Sequence, residues 1–198
     1  MKGKDDVFWL ENHIAAVTPS QKFLYVASGN SGVYGYSMDA SSGTLTPIPG
    51  SPFACGPEFG IAITPSEHFV ITAGGNGISS YSIDPSNGML TLAGSVTGEN
   101  AAGIAIDSNG LFVYAADASA NKISGFVIND SNGELTPVPN SPYAVSSNPQ
   151  SIVIDPLGRF LFVPNGNSSN VSAFSINTKD GHADASTRIF FRCRVEPR

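Results

Sequence analysis

The chain has 198 residues, of which 13% are charged, and its formal net charge is −6. Without a basic cluster it lacks the electrostatic footprint of a nucleic-acid-binding protein, and no run of 18 apolar residues could cross a membrane as a helix. Two cysteines, Cys55 and Cys193, do not provide a disulfide framework or a cysteine-based metal site.

The first twelve residues match no other part of the chain. They read MKGKDDVFWLEN, in which acidic residues flank a short apolar piece, so the pattern of a secretory signal is missing. We therefore leave 1–12 unassigned. We expect a cytoplasmic protein, or an exported one if the natural chain begins further upstream.

From residue 13 onward one pattern occurs four times. The copies begin at Ala15, Ile61, Ile104 and Ile152, so the period is 43 to 48 residues. In each copy an apolar run, a turn, an aromatic and β-branched run, a polar loop and an alternating run follow one another. Short runs of Val, Ile, Phe and Tyr between turn residues predict β-strands. Four strands in a repeat of this length predict the blade of a β-propeller.

Three copies end in a further short strand. Gly43–Phe53 reads GTLTPIPGSPF, Gly133–Tyr143 reads GELTPVPNSPY, and Leu90–Val96 occupies the same place in the second copy. Proline cannot donate a backbone hydrogen bond, so proline-rich strands fit the edge of a sheet. We predict that these segments are the outermost strands of the blades. The innermost strands are then expected at 15–18, 61–64, 104–107 and 152–155.

Several phrases of the repeat resemble the seven-bladed β-propeller lactonase family, of the 6-phosphogluconolactonase type. They are Phe23–Val26 (FLYV), Gly50–Ala54 (GSPFA), Gly158–Val163 (GRFLFV) and Val171–Ile176 (VSAFSI). The resemblance covers residues 13–181. It implies an all-β fold of four-stranded antiparallel blades. The chain would hold about four of the family's seven blades, in a partial, open propeller.

The fourth copy lacks the expected outermost strand. After Gly181 the repeat requires a Leu-Thr-Pro segment, but residues 182–198 read HADASTRIFFRCRVEPR. A permitted back-translation of this tail, read one base later, spells TLTPVPGSSFGVEWNP, which is the missing segment. We interpret 182–198 as a frameshifted, non-native tail and expect that it does not pack as a blade strand with native burial.

Propeller ligands usually bind at the mouth of the central channel, where loops enter the inner strands and connect the second and third strands. The polar or titratable residues there are His13, Glu58, Glu99, Asp117, Lys122 and Gln150. The resemblance implies hydrolysis of a sugar lactone, in which water attacks the ester carbonyl. His13, Glu58 and Glu99 are the candidate bases. Asp117, Lys122 and Gln150 are the candidate ligand-binding residues. Members of the family often carry Pro-His-Ser-Ile, whereas this chain has Gln150 at the histidine position.

Fold alone does not establish catalysis. The alternative to an enzyme fragment is a non-catalytic propeller that binds a small molecule or a protein on its face. We expect no cofactor and no metal, because Asp84–Gly88 and Asn129–Gly133 fit Asx turns followed by a left-handed glycine better than calcium loops. His68 and Arg159 are expected on the face opposite the mouth. We also expect self-association of the fragment, and no nucleic-acid or membrane partner.

Overall fold

A computed structural model of the protein describes residues 13–29, 31–53, 56 and 58–190, with the backbone alone at 13 and 186–190. The described chain consists of strands, turns and loops and has no helix. It forms four antiparallel sheets that follow one another in an open arrangement, so the predicted all-β fold of propeller blades is confirmed.

Each sheet is one blade with its strands in sequence order, from the innermost to the outermost. Blade 1 contains β1 (His13–Val17), β2 (Phe23–Ser28), β3 (Val33–Met38) and β4 (Leu45–Pro47). Blade 2 contains β5 (Glu58–Ile63), β6 (Phe69–Gly74), β7 (Gly77–Ile83) and β8 (Leu90–Val96). Blade 3 contains β9 (Ala101–Ile106), β10 (Phe112–Asp117), β11 (Lys122–Ile128), β12 (Leu135–Pro137) and β13 (Tyr143–Ala144), which also pairs with β11. Blade 4 contains β14 (Val153–Ile154), β15 (Phe160–Asn165), β16 (Asn170–Ile176) and β17 (Ala183–Phe190).

Apolar layers between successive blades hold the arc together. One core lies between blades 1 and 2, a second between blades 2 and 3, and a third between blades 3 and 4. The second strands β6 and β10 are buried along their whole length, because a blade covers each of their two faces. This double burial explains why these strands are nearly continuous apolar runs rather than alternating ones.

A repeated contact locks each blade onto the next. The last hairpin of blade 2 contains Gly88 in the left-handed region (φ +75°), and a side chain there would meet the Phe23 ring of blade 1 at 2.6 Å. Gly133 (φ +76°) has the same relation to the Phe69 ring, also at 2.6 Å. Only glycine combines this backbone conformation with so close an approach.

The turns agree with the predicted Asx type. The Asp84 carboxylate accepts hydrogen bonds from the backbone N–H (2.8 Å) and hydroxyl (2.6 Å) of Ser86. The Asn129 side chain accepts the corresponding pair from Ser131 at 3.0 and 2.6 Å. These oxygens therefore hold their own turns. In the described ranges, no three His, Cys, Asp or Glu side chains are grouped so that they could hold a metal ion.

The structure corrects the expectation for the tail. β17 pairs with β16 from Ile176 opposite Ala183 to Asn170 opposite Phe190, with one bulge, and so occupies the place of an outermost strand. An outermost strand is held by backbone hydrogen bonds along one side, which any residue except proline can make. The expectation is therefore wrong for 183–190 as far as strand pairing is concerned, whereas side-chain burial is described only for 183–185 and stays untested beyond them. Residues 191–198 lie outside the described residues, and the frameshift itself stays a prediction.

Two further expectations fall outside the described part of the chain. One concerns segment 1–12, which the sequence left unassigned. The other concerns Cys55 and Cys193, which were expected to form no disulfide framework and no metal site. Among the described residues, no helix is long and apolar enough to cross a membrane.

Candidate functional site

The candidate residues lie along one edge of the blades, which we call the entry edge. It consists of the starts of the first and third strands and the ends of the second strands. In blade 1 His13 pairs with Ser28, in blade 2 Glu58 pairs with Gly74, and in blade 3 Asp117 pairs with Lys122. Glu99 precedes β9, and Gln150 follows Pro149, which bridges to Asn165 at the end of β15. The side chain of His13 lies outside the described residues.

A β-bulge sets the direction of the Glu58 side chain. Glu58 pairs with Gly74 and Gly60 pairs with Ala73, so Phe59 is the extra residue on β5. The bulge brings Glu58 to the sheet face that carries Thr72, which pairs with Ile61 in the same register. Ile61 belongs to the core between blades 1 and 2. The Glu58 carboxyl thus points between two blades, and Gly74 opposite it has no side chain to occupy the space.

Burial changes the acidity of Glu58. The residue is 4% exposed, and loss of hydration raises the pKa of its carboxyl to about 7. The Glu58 backbone N–H donates to the carbonyl of Gly29 in blade 1 at 2.9 Å. Within the described residues, Oε2 of Glu58 and Oγ1 of Thr72 have no hydrogen-bond partner. Glu58 can therefore take up or release a proton near neutral pH, inside a blade junction.

Glu99 and Lys122 neutralise each other. The Lys122 Nζ lies 3.1 Å from one Glu99 carboxylate oxygen and 3.2 Å from the other. Both side chains are largely buried, at 14% and 25% exposure. The ammonium group is thus held by a carboxylate from the loop before β9, in its own blade.

Asp117 organises the loop that follows its own strand. Its carboxylate accepts hydrogen bonds from the Ser119 hydroxyl (2.6 Å) and from the backbone N–H groups of Ser119 and Ala120 (both 2.9 Å). The N–H of Asn100 adds a fourth at 3.3 Å. Burial alone would raise the pKa of Asp117, but these donors outweigh it and hold the pKa below its ordinary value. The charged Asp117 is therefore a structural anchor.

Blade 4 carries amides and hydroxyls at the entry edge. The Asn165 Nδ2 donates to Oδ1 of Asn170 at 2.8 Å and to the Ser172 hydroxyl at 3.0 Å. Asn170 in turn donates to the Ser146 hydroxyl at 3.1 Å. Asn165 is 2% exposed, and its Oδ1 has no partner among the described residues. Gln150 is exposed next to this cluster in the chain.

The structure brings some candidates together and separates others. Glu99, Lys122 and Asp117 surround one loop of blade 3, whereas Glu58 lies in the junction of blades 1 and 2. No described contact joins Glu58 to the Glu99–Lys122 pair.

Thr72 was not identified from the sequence as part of the site, although the sequence contains a pattern that could have indicated it. Thr72 is a polar residue at a position that is apolar in the other copies. The strand registers align it with Val26, Ala115 and Val163. Thr72 and Glu58 are thus a polar pair inside an apolar junction. Comparison of the second strands residue by residue would have singled out Thr72.

The opposite face holds His68 and Arg159, as predicted. His68 Nδ1 lies 3.1 Å from the Asp130 carboxylate, and Arg159 pairs with Asp155 at 3.3 Å. A cavity of about 330 Å³ is found there, lined by Lys22, Phe23, Pro65, Ser66, Glu67, His68, Ile83 and Pro85. None of the entry-edge candidates lines it.

Comparisons with known proteins agree with this architecture. Residues 91–188 match the sequence model of a family described as lactonase, 7-bladed beta-propeller. No curated protein matches the chain.

Three solved structures illustrate the likeness. A Lactobacillus plantarum protein superposes with a TM-score of 0.78 at 22% identity, over 90% of this chain and 55% of that one. A candidate 6-phosphogluconolactonase from Bacteroides fragilis gives 0.75 at 20% identity, over 90% and 54%. The periplasmic gluconolactonase of Pseudomonas aeruginosa gives 0.69 at 17%, over 88% and 53%. The chain thus spans about half the length of these structures, and the resemblance to the lactonase-type propeller is confirmed.

Proposed function

We propose that this chain, with its blades of the seven-bladed lactonase type, is part of a propeller protein that hydrolyses a sugar lactone. We further propose that the 198-residue chain has no lactone turnover of its own. The names of the Pseudomonas aeruginosa and Bacteroides fragilis structures support the substrate class. The reaction type is attack of water on the lactone ester carbonyl.

Such a reaction needs a base to activate the water and a donor or cation to stabilise the oxyanion. One observation carries the proposal of inactivity: the described acidic and basic candidates are all engaged within the blades themselves. Glu58 is buried in a junction, Glu99 neutralises Lys122, and Asp117 holds its own loop. A base and a cation that are both free to meet a substrate are therefore missing from the described entry edge.

The experiment compares two chains. One is the 198-residue chain, and the other has residues 182–198 replaced by TLTPVPGSSFGVEWNP and the sequence encoded downstream in that frame. Hydrolysis of gluconolactone and of 6-phosphogluconolactone is followed by titration of the released acid. We expect the uncatalysed rate for the first chain and turnover for the second. Turnover by the 198-residue chain, or none by the extended one, would contradict the proposal.

The exposed amide of Gln150 supports the alternative of a non-catalytic binding face. Sugars present many hydroxyls, and an exposed amide can both donate hydrogen bonds to them and accept hydrogen bonds from them. Calorimetric titration of the extended chain with gluconate tests this reading. Binding without lactone turnover, weakened by Gln150→Ala, would favour the binding module over the hydrolase.

A further inference from the structure

One kind of contact between neighbouring blades occurs three times in the described chain. At each end of the row of blades, one of its two partners is present without the other. In each junction a phenylalanine at the start of a second strand covers the hairpin glycine of the next blade. The three pairs are Phe23 with Gly88, Phe69 with Gly133, and Phe112 with Gly181. The three rings are 4–6% exposed.

The first such partner is Phe160 on blade 4. It starts β15 as Phe112 starts β10, but it is 39% exposed. The Arg159 guanidinium lies 5.4 Å from its ring and covers part of it. Among the described residues, no following blade offers Phe160 a hairpin glycine.

The second such partner is Gly43 on blade 1. Its φ of +71° is close to those of the covered glycines, which lie between +73° and +76°, but a side chain built there would meet no described atom within 4 Å. Leu45, two residues on, is 43% exposed. Its counterparts Leu90 and Leu135 are 9% and 8% exposed in their junctions.

We propose that two copies of the 198-residue chain associate head to tail, with Phe160 of each copy seated on the Gly43 hairpin of the other. The occupant is a second copy because the chain carries both halves of an interface that it already forms three times internally. Because the open faces repeat the surfaces that already pack against each other inside the chain, they are complementary without any further change. Every other molecule of the chain in solution therefore presents a blade that fits each open face.

The association closes at two copies. The described parts of two chains supply eight blades, and propellers with four to eight blades are known. Going from seven blades to eight changes the angle between neighbours from about 51° to about 45°, a small adjustment at each junction. A closed ring covers both open faces of both copies, whereas a single interface leaves two apolar faces in water. The dimer is therefore the expected end state.

The test uses one substitution on each face. Leu45→Glu places a charge on the blade 1 face, and Phe160→Glu places one on the blade 4 face. Both positions are partly exposed within one chain, so folding should survive, as circular dichroism would verify. Light scattering after size exclusion should show a dimer for the unchanged chain and a monomer for each variant, with at least tenfold weaker association. The matched control is Leu92→Glu, because Leu92 is 59% exposed on the outermost strand of blade 2, and it should stay dimeric.

Mixing the two variants distinguishes head-to-tail contact from other modes. Each variant keeps one intact face, and these faces fit each other, so the equimolar mixture should form dimers that neither variant forms alone. The proposal would be overturned if the unchanged chain were monomeric, if it formed a series of larger oligomers, or if either variant alone remained dimeric.

One further substitution is expected to strengthen the dimer. Tyr25 and Tyr114 donate from their second strands to the hairpin carbonyls of Gly88 and Gly181 in the next blade. The equivalent residue of blade 4 is Phe162, which has no hydroxyl. Phe162→Tyr should donate to the Gly43 carbonyl of the second copy and tighten the dimer by roughly two- to tenfold. Unchanged or weakened association would count against this placement of the two faces.

Discussion

The phenolic hydroxyl of Tyr114 in blade 3 donates a 2.6 Å hydrogen bond to the backbone carbonyl of Gly181 in blade 4. Tyr25 makes the same bond to Gly88 at 2.7 Å in the junction between blades 1 and 2. Burial raises the pKa of Tyr114, so its phenol stays neutral and remains a donor. A single oxygen thus satisfies a carbonyl that the apolar junction would otherwise leave without a partner.

Removal of this hydroxyl should destabilise the fold. Tyr114→Phe leaves the Gly181 carbonyl unpaired in the junction, and we expect the free energy of unfolding to fall by about 1–2 kcal/mol. Urea denaturation measures the change. Tyr36→Phe is the control, because Tyr36 is half-buried on the open side of blade 1 and no described group bonds its hydroxyl. Equal losses in both variants would contradict a specific role of the Tyr114 bond.

The hairpin glycines should differ in their tolerance of a methyl group. Gly181→Ala combines strain at φ +73° with a contact against Phe112 and Val138, whereas Gly43→Ala has only the strain at φ +71°. We expect Gly43→Ala to lose about 1 kcal/mol. Gly181→Ala should lose about 1–3 kcal/mol more through overpacking. Thermal unfolding of the two variants at a concentration that keeps them monomeric makes the comparison.

Glu58 should make stability depend on pH. Its pKa in the folded protein is raised by burial to about 7, so the fold binds its proton more tightly than the unfolded chain does. The contribution of Glu58 is fully present below its unfolded pKa of about 4.3 and is lost as pH rises through 7, by up to about 3 kcal/mol. Glu58→Gln removes this dependence. The difference in unfolding free energy between variant and unchanged chain should therefore grow from pH 5 to pH 8 and then level off. A difference that is constant with pH would show that Glu58 titrates normally.

The Glu99–Lys122 pair should contribute a modest, salt-dependent stability. Lys122→Met leaves the largely buried Glu99 carboxylate without its partner, and we expect a loss of about 1 kcal/mol in low salt. The loss should shrink in 1 M sodium chloride, because salt screens the partly exposed charges. Lys22→Met is the matched control, since Lys22 is exposed and no described carboxylate lies against it. Chemical denaturation in low salt and in 1 M sodium chloride measures the loss of stability. A loss that does not change with salt would mean that Lys122 contributes through packing and not through its charge.

Local patterns predicted the blades well because each strand and turn depends on neighbouring residues. The period of the repeat located β5 near 61–64 and β9 near 104–107, and the observed strands are Glu58–Ile63 and Ala101–Ile106. The Asx turn at Asp84 followed from a side chain that bonds its own backbone two residues on. The position of His68 opposite the entry edge followed from strand order alone.

The candidate site was only partly predictable, since its chemistry depends on distant strands. The sequence indicated Glu58 as an entry-edge carboxylate, but the bulge at Phe59 and the pairing of Ile61 with Thr72 decided that it is buried. Lys122 was a candidate ligand-binding residue, but in the fold it forms an ion pair with Glu99.

The sequence by itself determined the number of blades, their strand order and the edge that carries the polar residues, because periodicity and turn chemistry act over a few residues. The tertiary structure alone decided which side chains are buried, paired or left open. The β17 strand shows the reason: an outermost strand needs only a free row of backbone hydrogen bonds from β16, so Ala183 fills a place that leucine fills in the other blades. Phe160 and Gly43 show the converse, since each matches its counterparts in sequence and differs from them only in whether another blade stands against it.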